Sequence, residues 1–188
     1  AVPAAARAQL RLGARLGYGI VGGDVIKDVK MSSWIDHEIP FQLDASFNLS
    51  PRLSLGAYYA YGFGLLKSGS ALDSAHDTRL GVQAALSFLP GENLDPWIGA
   101  GAGWGWLTAK GGGDEMTLDG WELTVNGGVD FKLTDRSAIG LFVSYASGEY
   151  QNGKITLGGT KRASGSIGSG EVAAHNLLTI GLRGTLDL

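Results

Sequence analysis

The chain contains no cysteine, which excludes a disulfide framework and thiolate metal sites and is compatible with export through an oxidising compartment. It also lacks an apolar stretch of the roughly 20 residues that a spanning helix needs. Its uncharged runs, 53–66 and 96–109, fall short of that length, and their glycines recur at strand spacing. Charge is sparse, at 18% of residues with a net of −3, and no basic patch stands out. A nucleic-acid partner held by phosphate neutralisation is therefore not expected. Glycine is the residue in excess: 31 in 188 residues, about twice the roughly 7% of average proteins. Glycine costs entropy inside ordered elements, so small side chains at regular places must serve close packing.

Strict two-residue alternation runs through 39–65. Ile39, Phe41, Leu43, Ala45, Phe47 and Leu49 share one face, against Pro40, Gln42, Asp44, Ser46 and Asn48 on the other. After Ser50-Pro51-Arg52, Leu53, Leu55, Ala57, Tyr59, Tyr61, Phe63 and Leu65 alternate with Ser54, Gly56, Tyr58, Ala60, Gly62 and Gly64. Successive strand side chains point to opposite sides, so one wall is large and apolar and the other small or polar. The same grammar recurs near 10–21, 78–89, 98–106, 120–133, 137–150 and 174–188, which predicts about eight strands of similar length. In the fifth, Ile98, Ala100, Ala102, Trp104 and Trp106 alternate with Gly99, Gly101, Gly103 and Gly105.

Connections after the second, fourth and sixth strands are short, and those after the first, third, fifth and seventh are longer. That asymmetry predicts a transmembrane barrel with short periplasmic turns and long extracellular loops. Tyr18, Tyr61, Phe63, Trp104, Trp106, Trp121 and Tyr145 fall near the long-loop ends, and Phe47, Phe88 and Phe131 near the short-turn ends, as two interfacial girdles. The rival is a soluble eight-stranded barrel with the large residues inside. It would leave an exterior of Gly, Ala, Ser and Thr, whereas exposed strand positions favour β-branched and charged residues. Residues 10–188 thus read as one all-β domain: an eight-stranded antiparallel up-and-down transmembrane β-barrel. Residues 1–9 read as a signal-peptide remnant or flexible N-terminus, because Ala6-Arg7-Ala8 has the small-x-small form of a cleavage site before Gln9.

Pro96-Trp97-Ile98-Gly99-Ala100-Gly101-Ala102-Gly103-Trp104, with the strand–turn rhythm around it, resembles the small outer-membrane barrel superfamily that includes OmpA-type domains, OmpX and OmpW. The resemblance covers about 10–188 and implies an integral protein of the bacterial outer membrane, in contact with outer-membrane lipids and lipopolysaccharide. Such barrels usually end in an aromatic residue, whereas this chain ends Leu186-Asp187-Leu188. An OmpA-like peptidoglycan-anchoring role is not expected.

An eight-stranded barrel is just wide enough for side chains to fill it, so the inner row decides between plug and pore. Arg11, Arg15, Arg79, Lys132 and Arg183 face inward with Asp44, Glu122, Asp130 and Asp187, and such charges need partners or water. Arg15, Asp44 and Arg183 are expected to form one cluster, with Asp130 joining from across. Arg79 and Glu122 are expected to meet over the glycines of the fifth strand. This favours a structural or surface-interaction role with a lumen plugged by an ion-paired network. The alternative is a narrow porin-like channel for ions or for small or apolar solutes.

No cofactor, metal or catalytic site is expected. Ser74-Ala75-His76-Asp77 has residue types for nucleophile, base and orienter, but loop neighbours rarely reach triad geometry. Asp114-Glu115 after Gly111-Gly112-Gly113 lacks cation-ligand spacing and reads as a hairpin tip. The segment 22–38 mixes Val25, Ile26, Val29, Met31, Trp34 and Ile35 with charges, which predicts a folded loop able to meet a protein partner or the lipid rim. The Gly/Ser-rich 151–172 carries Lys154, Lys161 and Arg162, placed to touch lipopolysaccharide phosphates.

Overall fold

A computed structural model describes residues 9–188. The processing reading of the tail falls on residues outside that range, except at Gln9, which opens the first strand and pairs with Asn48. Eight strands build the wall: β1 (Gln9–Ile26), β2 (Ile35–Asn48), β3 (Leu53–Leu66), β4 (Ser74–Ser87), β5 (Leu94–Gly111), β6 (Asp114–Lys132), β7 (Ser137–Leu157) and β8 (Ala174–Asp187). Each runs antiparallel to the next, and β8 pairs with β1 from Arg11↔Asp187 to Gly23↔His175, closing the barrel. Closure removes every edge at membrane depth, which a bilayer requires of a sheet.

The wall faces as the alternation predicts. Leu55, Val82 and Leu182 are 49%, 59% and 54% exposed, whereas Arg15 and Glu122 keep 5% and 6%. In water such an apolar belt would be a liability; in hydrocarbon it is the matched surface. Tyr18, Phe63, Trp106 and Tyr145 project outward toward one end and Phe47, Phe88 and Phe131 toward the other.

The outer ends depart from expectation. The connection after β5 is not a long loop, because both strands continue past the membrane belt to a two-residue turn, Gly112-Gly113, whose φ values of 60° and 87° suit a primed hairpin turn. β7 likewise extends to Leu157, and its tip pairs with an added strand, Thr160–Ser166. After β1 the chain turns at Asp28, lays Val29–Lys30 back on β1 and makes a 3-10 turn, Met31–Ser33.

One place in the wall is irregular at membrane depth. Between β1 and β2 the register runs from Leu16↔Phe41 directly to Gly19↔Glu38, skipping Gly17 and Tyr18. Pro40 lies in the skipped stretch with no N–H to give, while its other neighbour, β3, keeps the pair Pro40↔Gly62.

Candidate functional site

The inner row forms tiers along the barrel. At the short-turn end, Arg11 Nε and Nη2 donate to Asp187 Oδ1 and Oδ2 at 2.6 and 2.9 Å. Above it, Arg183 lies over the Trp97 ring at 4.1 Å and reaches Asp130 Oδ2 at 3.6 Å, while Trp97 Nε1 donates to Asp130 Oδ1 at 3.2 Å. Arg15 Nε donates to Asp44 Oδ2 at 2.9 Å and Arg15 Nη2 to Gln83 Oε1 at 3.2 Å. Gln42 and Gln83 both donate to Asp44 Oδ1, at 2.6 and 2.7 Å. Arg15 and Arg183 are register partners across β1 and β8, and both guanidinium groups lie against Trp97. A π face tolerates two cations where a bare cavity would not.

The next tier corrects an expectation. Arg79 does not pair with Glu122; its Nη2 meets Glu38 Oε1 and its Nε meets Asp77 Oδ2, both at 2.7 Å. The space over β5 is taken instead by Tyr58 from β3: a Cβ at Gly103 would lie 2.5 Å from its Oη and one at Gly101 3.5 Å from its ring. Glu122 accepts from Thr124 Oγ1 at 3.4 Å. Gly62 is needed where it stands, since a Cβ there would overlap Asp77 Oδ1 and Glu38 Oε1. Lys132 also leaves the network, being exposed and paired with Asp135 at 2.9 Å. That contact holds the Asp135 carboxyl below its ordinary range, chiefly through the hydrogen bond from Lys132.

Glu38, Asp77, Gln42, Gln83 and Trp97 were the network members that residue-by-residue reading did not assign a role. The parity of β2 carried the signal for Glu38, because 38, 40, 42 and 44 share one face. The parity of β4 did the same for Asp77 beside Arg79.

Above Arg79 the interior changes character. Val21, Val25, Met31, Ile35, Ala75, Leu107, Leu118, Ala146, Tyr150 and Leu177 form one buried apolar cluster, with His175 stacked on Tyr150 at 4.1 Å. The apolar residues of 22–38 supply Val25, Met31 and Ile35 to it. Between the tiers lie voids of about 20 and 30 Å³, room for about one to three waters each at ~10–15 Å³ apiece.

At the outer rim, His76 turns outward to stack on Tyr61 at 5.6 Å, while Asp77 turns inward to Arg79. The strand wall therefore separates the two residues that a triad there would join. Asp114 accepts the Gly158 N–H at 3.0 Å and Glu115 pairs with Lys110 at 3.0 Å, so these acids close the hairpin tips. Lys154, Lys161 and Arg162 are exposed and have no ion-pair partner among the described residues.

A lipid-matched exterior around a filled polar interior defines an integral β-barrel membrane protein. The chain belongs to the outer membrane protein beta-barrel domain family, whose model matches residues 1–175, and it is an integral protein of the bacterial outer membrane. No curated protein matches it significantly by sequence. Among solved structures it is similar to Neisserial surface protein A (12% identity, TM-score 0.61, covering 93% of this chain and 95% of that one). It is also similar to OprG of Pseudomonas aeruginosa (12%, 0.62, 95% and 96%) and to a major outer membrane protein of Thermus thermophilus (12%, 0.57, 95% and 99%). At such identities these likenesses establish the fold.

Proposed function

We propose that this protein is a closed, non-enzymatic barrel with a structural or surface-interaction role, its lumen plugged by the ionic tiers and its outer end carrying the specificity. The observation that carries this reading is the succession of ion-paired layers, small separate voids and apolar cluster along the axis. A hydrated ion following that path would have to break Arg15–Asp44 and Arg79–Glu38 and then cross a largely apolar layer where the stacked Tyr150 and His175 offer too few polar atoms to replace its water. The unpaired cations Lys154, Lys161 and Arg162 support the second half of the reading, since they stand at the outer surface where anionic groups such as lipopolysaccharide phosphates lie.

Planar-bilayer recording tests the closed lumen. The native chain should give no reproducible current steps. A steady current that changes when Arg15→Ala and Asp44→Ala are combined would make the narrow channel the correct reading.

A further inference from the structure

Closure of the wall at membrane depth leaves a strand edge open above it. The added strand, Thr160–Ser166, pairs with β7 alone, and among the described residues its backbone makes no hydrogen bond outside that ladder. Such an edge is a ready template for another strand. Beside it, at the outer mouth, lies a vestibule of about 390 Å³. Ala163, Ser164, Gly165 and Ser166 line it in succession, and because both strand parities take part, the cavity runs along the strand's edge and not over one face. Trp34, Leu118 and Ile155 are among its apolar walls, and Leu118 belongs also to the buried cluster beneath.

The two faces of this ribbon differ in chemistry. Register pairs Ile155 with Ala163, Lys154 with Ser164 and Thr156 with Lys161, and the shift between them leaves Arg162 as the extra residue. Ile155 and Ala163 therefore share the vestibule side, while Lys154, Ser164 and Lys161 share the opposite face. From Gln151 to Gly170 the chain has three cations and no acid. On the lysine face the neighbouring acid, Glu115, is register partner of Thr156 and is taken by Lys110 at 3.0 Å. The vestibule's one charged lining residue is itself an acid, Glu171. A strand added to this edge would show alternate side chains to the two faces, so acids fit toward the lysines and aliphatic groups toward the vestibule. A lipid tail would leave the edge's N–H and C=O groups without partners. A second copy does not fit either: two barrels in one membrane hold this strand in the same direction, which bars an antiparallel pair, and they bring the same cations together.

We propose that the Thr160–Ser166 edge captures, by strand addition, an extended segment of a soluble protein in which acidic and aliphatic side chains alternate. The backbone of the segment completes the ladder, its acids meet Lys154 and Lys161, and its aliphatic side chains enter the vestibule. This names a partner class for the outer end and rests on the reading of that end as the interacting one. It does not depend on a closed lumen, so its test and the conductance test fail separately.

The native chain is placed in phosphatidylcholine nanodiscs free of lipopolysaccharide and titrated with the peptide Glu-Val-Glu-Val-Glu-Val, labelled for fluorescence anisotropy. Binding should saturate, and amide exchange should slow within 160–166. The same peptide N-methylated at every residue cannot give backbone hydrogen bonds and should not bind. Lys-Val-Lys-Val-Lys-Val should not bind either, and Glu-Glu-Glu-Val-Val-Val, with the composition but not the alternation, should bind more weakly. Lys154→Glu with Lys161→Glu should weaken the acidic peptide roughly three- to tenfold, the scale of a few exposed charge contacts, and let the lysine peptide bind. Both positions are exposed, and the peptide comparisons on the native chain stay decisive if that variant misfolds. Absence of saturable binding, equal binding of the N-methylated peptide, or equal affinity for the acidic and lysine peptides overturns the proposal. Exchange in 160–166 that slows with lipopolysaccharide and not with the acidic peptide makes the edge a lipid contact and overturns it as well.

Discussion

The membrane-depth interior and the outer mouth of this barrel are filled by opposite chemistry. Below Glu38 and Asp77 the inner row is arginine, carboxylate and amide, each group held by named partners. Above them it is aliphatic and aromatic. Buried ion pairs add little net stability, because desolvation offsets the attraction, yet removing one partner strands the other. An apolar layer has no such asymmetry: deleting one side chain costs its transfer energy and the cavity left behind. The ionic region is thus brittle to single changes, and the apolar region degrades in proportion to volume lost.

The sharpest way to break that contrast is Arg79→Met, which leaves Glu38 and Asp77 facing each other without their cation. It should cost about 3–5 kcal/mol, read by urea unfolding in lipid vesicles, and a loss no greater than that of a single apolar truncation would refute the distinction. Leu118→Ala in the outer cluster should cost less, about 2–3 kcal/mol, the low end for a buried leucine because the site adjoins the vestibule and can relax. Pro40→Ala tests the irregular seam in the wall and should stabilise by about 1 kcal/mol, the value of one regained hydrogen bond. Slower amide exchange at Gly17, whose N–H faces β2, should accompany it, and unchanged exchange there would mean that the ladder does not close across β1 and β2.

Much of the architecture could be read from residue order. Alternation in 39–65 located β2 and β3 and assigned their faces, and parity and height set Arg15 beside Asp44 and Arg183 near Asp130, whereas the Trp97 ring that both guanidinium groups lie against had no place in that expectation. The sequence was less informative where partners are set by reach. Arg79 and Glu122 flank the same glycines, but Tyr58 occupies that gap from another strand, and its length, invisible to a two-residue period, sends Arg79 to Glu38 and Asp77. The outer hairpin of β5 and β6 escaped because its faces reverse polarity once the strands leave the bilayer. The inward side then packs on Val25 and Met31 rather than on water and ions.

Which side of each strand meets lipid is a property of the sequence alone, because the period of the pleat is local and hydrocarbon outside rewards the same residues on every strand. Which carboxylate neutralises which arginine, and the outer vestibule itself, were decided only by closure of the barrel. Those contacts join residues far apart in the chain, and their distances depend on register, strand length and the volume that a neighbouring side chain has already taken.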